Sequence, residues 1–160
     1  MSALTSPHRP AAAPAAGIDP RGPRVAATLT AVVLAVALLA APSALTVGLL
    51  AAQTVVFAVG ALRGVQHTPY SWLFRTLLRP RLGAPGRLED PAPPRFAQAV
   101  GLGFAVVALL GYVAGAPLLG AVATGAAFAA AFLNAAFGFC LGCEMYLLGK
   151  RLSPLRASAH

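Results

Sequence analysis

Charge is what this sequence has least of. Only 10% of its 160 residues are charged, 58% are hydrophobic and the mean hydropathy is +0.76, whereas a soluble domain carries about 25% charged residues for its surface. That shortage excludes an ordinary water-soluble domain. Acidic residues are the scarcest, at 4 against 12 Lys and Arg, for a formal net charge of +8. Phosphate-binding glycine motifs, a His-Glu metal helix and a Ser-His-Asp set are also missing, the last because only three scattered histidines occur. Nothing in the sequence calls for a cofactor.

The few charges fall in three blocks. Residues 1–24 hold Arg9, Arg21 and Arg24 against Asp19, for +2. Residues 63–95 hold Arg63, Arg75, Arg79, Arg81, Arg87 and Arg95 against Glu89 and Asp90, for +4. The tail holds Lys150, Arg151 and Arg156 against Glu144, for +2. Between the blocks, 25–62 and 96–143 carry no formal charge. A bilayer core needs roughly 20 apolar helical residues per crossing, so each tract is long enough for two. Spans are expected over 25–41 and 44–62, reversing at Pro42, and over 96–114 and 118–139, reversing at Pro117.

Every basic residue lies in the N-terminal segment, the 63–95 loop or the tail, and the short turns have none. Lys and Arg are retained in cytoplasmic loops, so both termini and the central loop are expected in the cytoplasm and the anionic inner leaflet is the expected neighbour. The basic blocks flank apolar runs, which argues against a nucleic-acid partner. The first span also resembles a cleaved signal peptide ending in Ala-Ala-Pro-Ser-Ala. Its long lead, the position of Pro42 and the odd number of helices left by cleavage speak against that.

A short repeat precedes both tracts. Asp19-Pro20-Arg21-Gly22-Pro23-Arg24-Val25-Ala26 recurs as Asp90-Pro91-Ala92-Pro93-Pro94-Arg95-Phe96-Ala97, with five identities in eight positions. The prolines hold the approach extended, and Arg24 or Arg95 is placed to snorkel at the headgroup boundary. A parallel duplication of two hairpins predicts a pseudo-twofold axis along the membrane normal.

Within the loop, Thr68-Pro69 is a helix start, and Tyr70 to Arg79 interleaves Trp72, Leu73, Phe74, Leu77 and Leu78 with Arg75 and Arg79 before Pro80 is expected to stop the helix. This predicts a short interfacial helix, with packing onto the ends of the spans as a compatible alternative. Residues 1–17 are rich in Ala and Pro and are expected to be disordered. Gly101, Gly103, Gly111, Gly115, Gly120 and Gly125 allow close helix approach. Gln53 and Asn134 read as interhelical glue, with a polar site inside the bundle as the alternative, because no ionisable residue lies within a span.

Chemistry concentrates in the only two cysteines, Cys140 and Cys143, as Cys-Leu-Gly-Cys. On a helix, positions i and i+3 share a face, so the sulfurs can meet in a disulfide or on a shared metal. In a reducing compartment such a pair is more often catalytic, transient or metal-binding than a staple. Read as the cytoplasmic end of the fourth span, the pair sits where the helix dipole and Glu144 oppose thiolate formation, leaving Arg95, Lys150 or Arg151 as the compensating cations. Zinc wants four ligands, and the chain offers two thiols and a distant His67; a homodimer pairing two motifs would complete four sulfurs. Three readings stay open: redox or sulfur-transfer chemistry, small apolar fillers, and a metal site.

The entry Asp-Pro-Arg-Gly-Pro-Arg, the loop segments Arg-Pro-Arg-Leu, Leu-Glu-Asp-Pro and Pro-Arg-Phe-Ala-Gln, and the closing Phe-Leu-Asn-Ala-Ala-Phe-Gly-Phe-Cys-Leu-Gly-Cys-Glu-Met-Tyr together resemble the bacterial domain of unknown function 4395 family over about residues 18–151. The closing segment is the specific part. The resemblance implies a small integral membrane protein of the bacterial inner membrane and association with a thioredoxin-like or sulfur-carrier protein. Quinone-linked disulfide-forming enzymes of the vitamin K epoxide reductase type also pair a four-helix bundle with Cys-x-x-Cys. They act on the outer side with a further cysteine pair, and this chain has neither an outer loop nor further cysteines.

The expected architecture is therefore all-α: an integral membrane four-helix bundle of two hairpins, with an interfacial helix in the cytoplasmic loop. Its segments are 1–24, hairpin 25–62, loop 63–95, hairpin 96–149 with the cysteines, and tail 150–160. Cys140 is the expected nucleophile, Cys143 the resolving thiol and Arg95 a supporting cation, in an accessory to cytoplasm-facing thiol or sulfur chemistry. The alternative is a non-enzymatic scaffold or small-solute membrane component with structural cysteines.

Overall fold

Each uncharged tract folds as a helical hairpin in the computed structural model, which describes residues 17–157. The disorder expected over 1–17 thus lies outside the described residues, Gly17 apart. α1 (Arg21–Leu39) and α2 (Ala44–Arg63) form the first hairpin. A 3-10 turn (Val65–His67), α3 (Pro69–Leu73), a π turn (Phe74–Leu78) and α4 (Arg79–Leu82) follow in the connecting loop. α5 (Ala92–Val113) and α6 (Pro117–Phe137) form the second hairpin, and α7 (Leu141–Ala157) closes the described chain. α1, α2, α5 and α6 are all long and apolar enough to cross a membrane. The protein is an all-α, multi-pass membrane bundle.

The helix entrances follow from the repeated Asp-Pro. Asp19 Oδ1 accepts from the Arg21 amide (3.0 Å) at the start of α1, and Asp90 Oδ1 accepts from the Ala92 amide (2.9 Å) at the start of α5. Each carboxylate satisfies a first-turn N–H that has no partner within its helix. Prolines in both first turns cost nothing, because a donor there would also be unpaired. One residue upstream, Ile18 and Glu89 exchange both backbone hydrogen bonds, at 2.9 Å each. Equivalent residues of the two copies therefore pair with each other, as a twofold axis between them requires.

The same relation runs through the bundle. α1 packs on α2 and α6, and α5 packs on α6 and α2, so each hairpin's first helix lies beside the other's second. Arg24 on α1 donates from Nε and Nη2 to the carbonyls of Ala135 and Ala136 (both 3.1 Å) at the end of α6. Arg95 on α5 donates from the same two nitrogens to Ala61 (2.7 Å) and Leu62 (2.8 Å) at the end of α2. Final-turn carbonyls lack helical donors and face the negative end of the helix dipole, so a guanidinium fork is well matched to them. The snorkelling role expected of both arginines becomes a specific bond between the hairpins.

At the other end, the turns after α1 and α5 carry no charge. Thr46 Oγ1 ties the first turn back to the Ala37 carbonyl (3.0 Å). In the second, Gly111 meets Gly120 so closely that a Cβ on Gly111 would sit 2.7 Å from the Gly120 nitrogen. Among the described residues, Gly103, Gly115 and Gly125 have no such neighbour within 4 Å, so they do not serve close approach there. The core between these ends is built from Leu34, Ala37, Leu50, Ala108, Ala123 and Ala127, with Tyr112 and Phe128 against it.

The loop does not simply lie on the surface. Thr68 caps α3 through its hydroxyl, which accepts from the Ser71 amide (3.2 Å), and Val65, Thr68, Ser71 and Phe74 are buried. Trp72 and Leu77 are exposed on the other side. The packing alternative holds: one face of this segment lies on α1. Pro80 does not stop the helix. The Arg79 amide bonds to the Phe74 carbonyl, five residues back, and this π register lets the chain absorb a residue without a donor and coil on to Leu82.

Candidate functional site

The fourth span ends before the cysteines. Gly138 takes a left-handed conformation (φ 69°), its amide bonding to the Asn134 carbonyl (3.0 Å) while the Phe139 amide bonds to Leu133 (3.3 Å). This paired closure of a helix C-terminus strongly favours glycine. Asn134 thus contributes its backbone carbonyl to the stop. Cys140 then opens a new helix: the Glu144 amide bonds to its carbonyl (3.0 Å) and the Cys143 amide to its Sγ (3.4 Å).

That placement corrects the sequence-based electrostatics. The pair sits at the N-terminus of α7, not at the C-terminal end of the span, so the helix dipole and the free first-turn amides favour negative charge on Cys140. Glu144, in the same first turn, opposes it. The sulfurs of Cys140 and Cys143 are joined as a disulfide, with Cα atoms 5.2 Å apart. The helical i, i+3 spacing brings them together as expected, on a different helix from the one expected.

The cations lie elsewhere. Arg95 gives its guanidinium to the α2 carbonyls of Ala61 and Leu62. The Lys150 ammonium stands over the Tyr146 ring, 5.9 Å from its centroid. Arg151 borders a shallow groove with Glu144, Leu141 and Met145. Among the described residues no group of three or more His, Cys, Asp or Glu side chains could hold a metal ion.

α5 holds the site in position. Gly142, inside the Cys-Leu-Gly-Cys motif, lies against Ala97: a Cβ there would come within 2.6 Å of the Ala97 Cα and Cβ. One turn further, Tyr146 packs on Phe96, with ring centroids 5.8 Å apart. Ala97 and Phe96 belong to the repeated entrance motif, whose role at the site was not evident from the sequence. Cys140 and Cys143 are partly buried, and Phe139 and Leu141 beside them are exposed.

The first repeat contains a counterpart made of oxygen. α2 also ends at a glycine with positive φ, Gly64 (φ 100°), and a short turn leads to Thr68 as cap of α3. Thr68 Oγ1 accepts from the Ser71 amide and lies 3.1 Å from Ser71 Oγ, the arrangement that Cys140 and Cys143 make with sulfur. The signal, Thr-x-x-Ser following Gly in one copy and Cys-x-x-Cys following Gly in the other, was present in the sequence.

Deeper in the first hairpin, Gln53 is 1% exposed. Its Nε2 donates to Thr30 Oγ1 (3.3 Å) and its Oε1 accepts from Tyr70 Oη (2.8 Å). The residue joins α1, α2 and α3, the glue reading extended to the loop. Burial raises the Tyr70 pKa above its ordinary value of 10.0, so the phenol stays a donor at neutral pH.

A family profile described as "Domain of unknown function (DUF4395)" matches residues 18–151. No curated protein and no solved structure matches the chain.

Proposed function

Starting from the DUF4395 family, to which this chain belongs, we propose that the protein is a membrane-embedded dithiol that exchanges electrons or sulfur with a thioredoxin-like or sulfur-carrier protein. One observation carries the reading: a bonded Cys-x-x-Cys opens a helix, with the Cys143 amide directed at Cys140 Sγ, and a helix N-terminus is where a cysteine thiolate is favoured. In the reduced state, Cys140 thiolate attacks one sulfur of a partner disulfide. A mixed disulfide forms, and the partner's other sulfur leaves as a thiolate and takes up a proton. Cys143 then loses its proton and attacks Cys140 Sγ, closing the Cys140–Cys143 bond and expelling the partner's remaining sulfur. The pair loses two electrons and the partner disulfide gains them. In the sulfur-transfer form, Cys140 thiolate attacks the outer sulfur of a persulfide on the sulfur-carrier protein, whose cysteine leaves as a thiolate, and attack by Cys143 on Cys140 Sγ then closes the disulfide and releases hydrosulfide.

Arginine placement supports a site on the cytoplasmic side of a bacterial inner membrane, with both termini there. The helix dipole takes the part first assigned to Arg95, whose guanidinium holds α2.

A second reading is favoured by the oxygen counterpart. Thr68 and Ser71 perform the same capping in the first repeat without redox chemistry, so the cysteines would serve only to cap α7 in a non-enzymatic scaffold. Replacing the pair in kind, Cys140→Thr with Cys143→Ser, separates the two. The thiol reading expects an intact fold with all thiol exchange lost. Trapping of Cys143→Ser in cells should further capture a partner on Cys140 as a mixed disulfide. Wild-type cysteines that stay plain thiols under oxidative and sulfide stress, together with normal behaviour of the Thr/Ser variant, would leave only the scaffold.

A further inference from the structure

α7 is not one of the four helices apolar enough to span the membrane, yet it carries an apolar row that no other described residue covers. Leu141, Met145, Leu148 and Leu152 recur at i, i+4, i+7 and i+11, one face of a helix, and are 39%, 54%, 58% and 55% exposed. The face that meets α5, through Gly142 and Tyr146, lies about a third of a turn away. α7 also begins only a few residues after the end of a span, at Phe137, and is pinned to the first turns of another. The N-terminal end of α7 is thereby held where one span ends and another begins.

We propose that α7 is a membrane-surface helix whose Leu141–Met145–Leu148–Leu152 row sits in the leaflet on the side of the two termini, with Arg151 beside it at the headgroups. Position selects lipid as the occupant: the first turn of α7 is held against the first turns of a membrane-spanning helix, and Arg151, which borders the row together with Glu144, can sink its stem along it while keeping its charge at the headgroups. Size argues the same way. One row of four side chains offers far less than the roughly 800 Å² per partner of a standard protein interface. A further consequence, which rests on the thiol reading, is that Cys140 and Cys143 lie at headgroup level, so their partner must present its sulfur at the bilayer surface.

The test uses fluorescence and involves neither cysteine, so it can fail without touching the thiol reading. Trp72 is the only tryptophan; in a Trp72→Phe background, the full chain is made with either Leu148→Trp or Leu147→Trp and reconstituted into phosphatidylglycerol-containing vesicles. Leu147 neighbours Glu144, Lys150 and Arg151 on the helix surface. The expected result is severalfold stronger quenching by lipids brominated near the headgroup end of the chain for Leu148→Trp, and by aqueous acrylamide for Leu147→Trp. Equal acrylamide quenching of both overturns the proposal, since the row then faces water. Shielding of Leu148→Trp from both quenchers also overturns it, because a second copy or another protein then covers the row.

Discussion

Gly142 rests on Ala97 with no room for a side chain between them, a Cβ at Gly142 falling 2.6 Å from both the Cα and Cβ of Ala97. This contact couples the thiol motif to the membrane helix beside it. α7 can bring its N-terminus, and with it Cys140 and Cys143, onto α5 only because the second intervening residue of Cys-Leu-Gly-Cys is glycine.

Gly142→Ala should therefore push α7 off α5. Overpacking of a close contact costs about 1–3 kcal/mol, and alanine's better helix propensity offsets up to about 1 kcal/mol of it. Thermal unfolding in detergent should show a lower midpoint, and reduced Cys143 should react faster with a maleimide. An unchanged midpoint and labelling rate would mean that the contact does not hold the site.

The forks of Arg24 and Arg95 make the same bonds in the two repeats. Arg95→Ala and Arg24→Ala should each destabilise the bundle by about 1–2 kcal/mol, the range for a modest number of exposed bonds to a charged donor. Lysine should restore only part of this at either site, because an ammonium cannot span two carbonyls as a planar fork does. Because Arg95 acts on α2, its loss should lower stability while leaving the thiol reactivity of Cys140 close to wild type. Denaturation midpoints and thiol-labelling rates on the same samples read both effects.

Gln53 and Tyr70 form a buried pair that a double-mutant cycle can weigh. Tyr70→Phe leaves Gln53 Oε1 without its donor, and Gln53→Leu leaves the phenol without its acceptor, each costing about 1–3 kcal/mol. The double variant Gln53→Leu/Tyr70→Phe removes both orphaned groups and should cost clearly less than the sum of the singles. Additive costs in unfolding measurements would show that the bond is not made.

Asp19 supplies a pH dependence. Its hydrogen bond from the Arg21 side chain, helped by the Arg21 amide and the nearby charges of Arg21 and Arg79, outweighs burial and holds its pKa below the ordinary 3.8. A depressed carboxylate pKa adds stability that is complete above the unfolded-state value and fades as pH falls through the folded one. Midpoints for wild type and Asp19→Asn should therefore differ most above about pH 5 and converge as the medium is acidified below the ordinary carboxylate range. A constant difference across that window would place the effect in something other than titration.

How far the sequence could be read depended on how local the deciding physics was. Four spans were legible because hydropathy adds up along the chain, residue by residue, and needs no partner. The duplication was legible at the entrances, where Asp19 and Asp90 act on amides only two residues away. Its continuation was harder to read, because Gly64 precedes Thr68 by four residues and Gly138 precedes Cys140 by two, so the two caps fall out of register and their likeness is plain only once each is seen to open a helix. Nor did the sequence mark Tyr70 as part of the bundle; its acceptor, Gln53, lies seventeen positions back in a different helix.

By itself, then, the sequence determined an all-α membrane bundle of two hairpins, a charge-free end opposite an arginine-rich one, and a thiol pair close enough to bond. Tertiary structure decided which helix end that pair faces and the task of Arg95. The physical reason is a single helix break. With Gly138 in a left-handed turn, Cys140 faces the amide end of a new helix instead of the carbonyl end of an old one, and Arg95 is drawn to the carbonyls of α2. Neither outcome is written in residue types; both depend on which helix end lies next to which side chain.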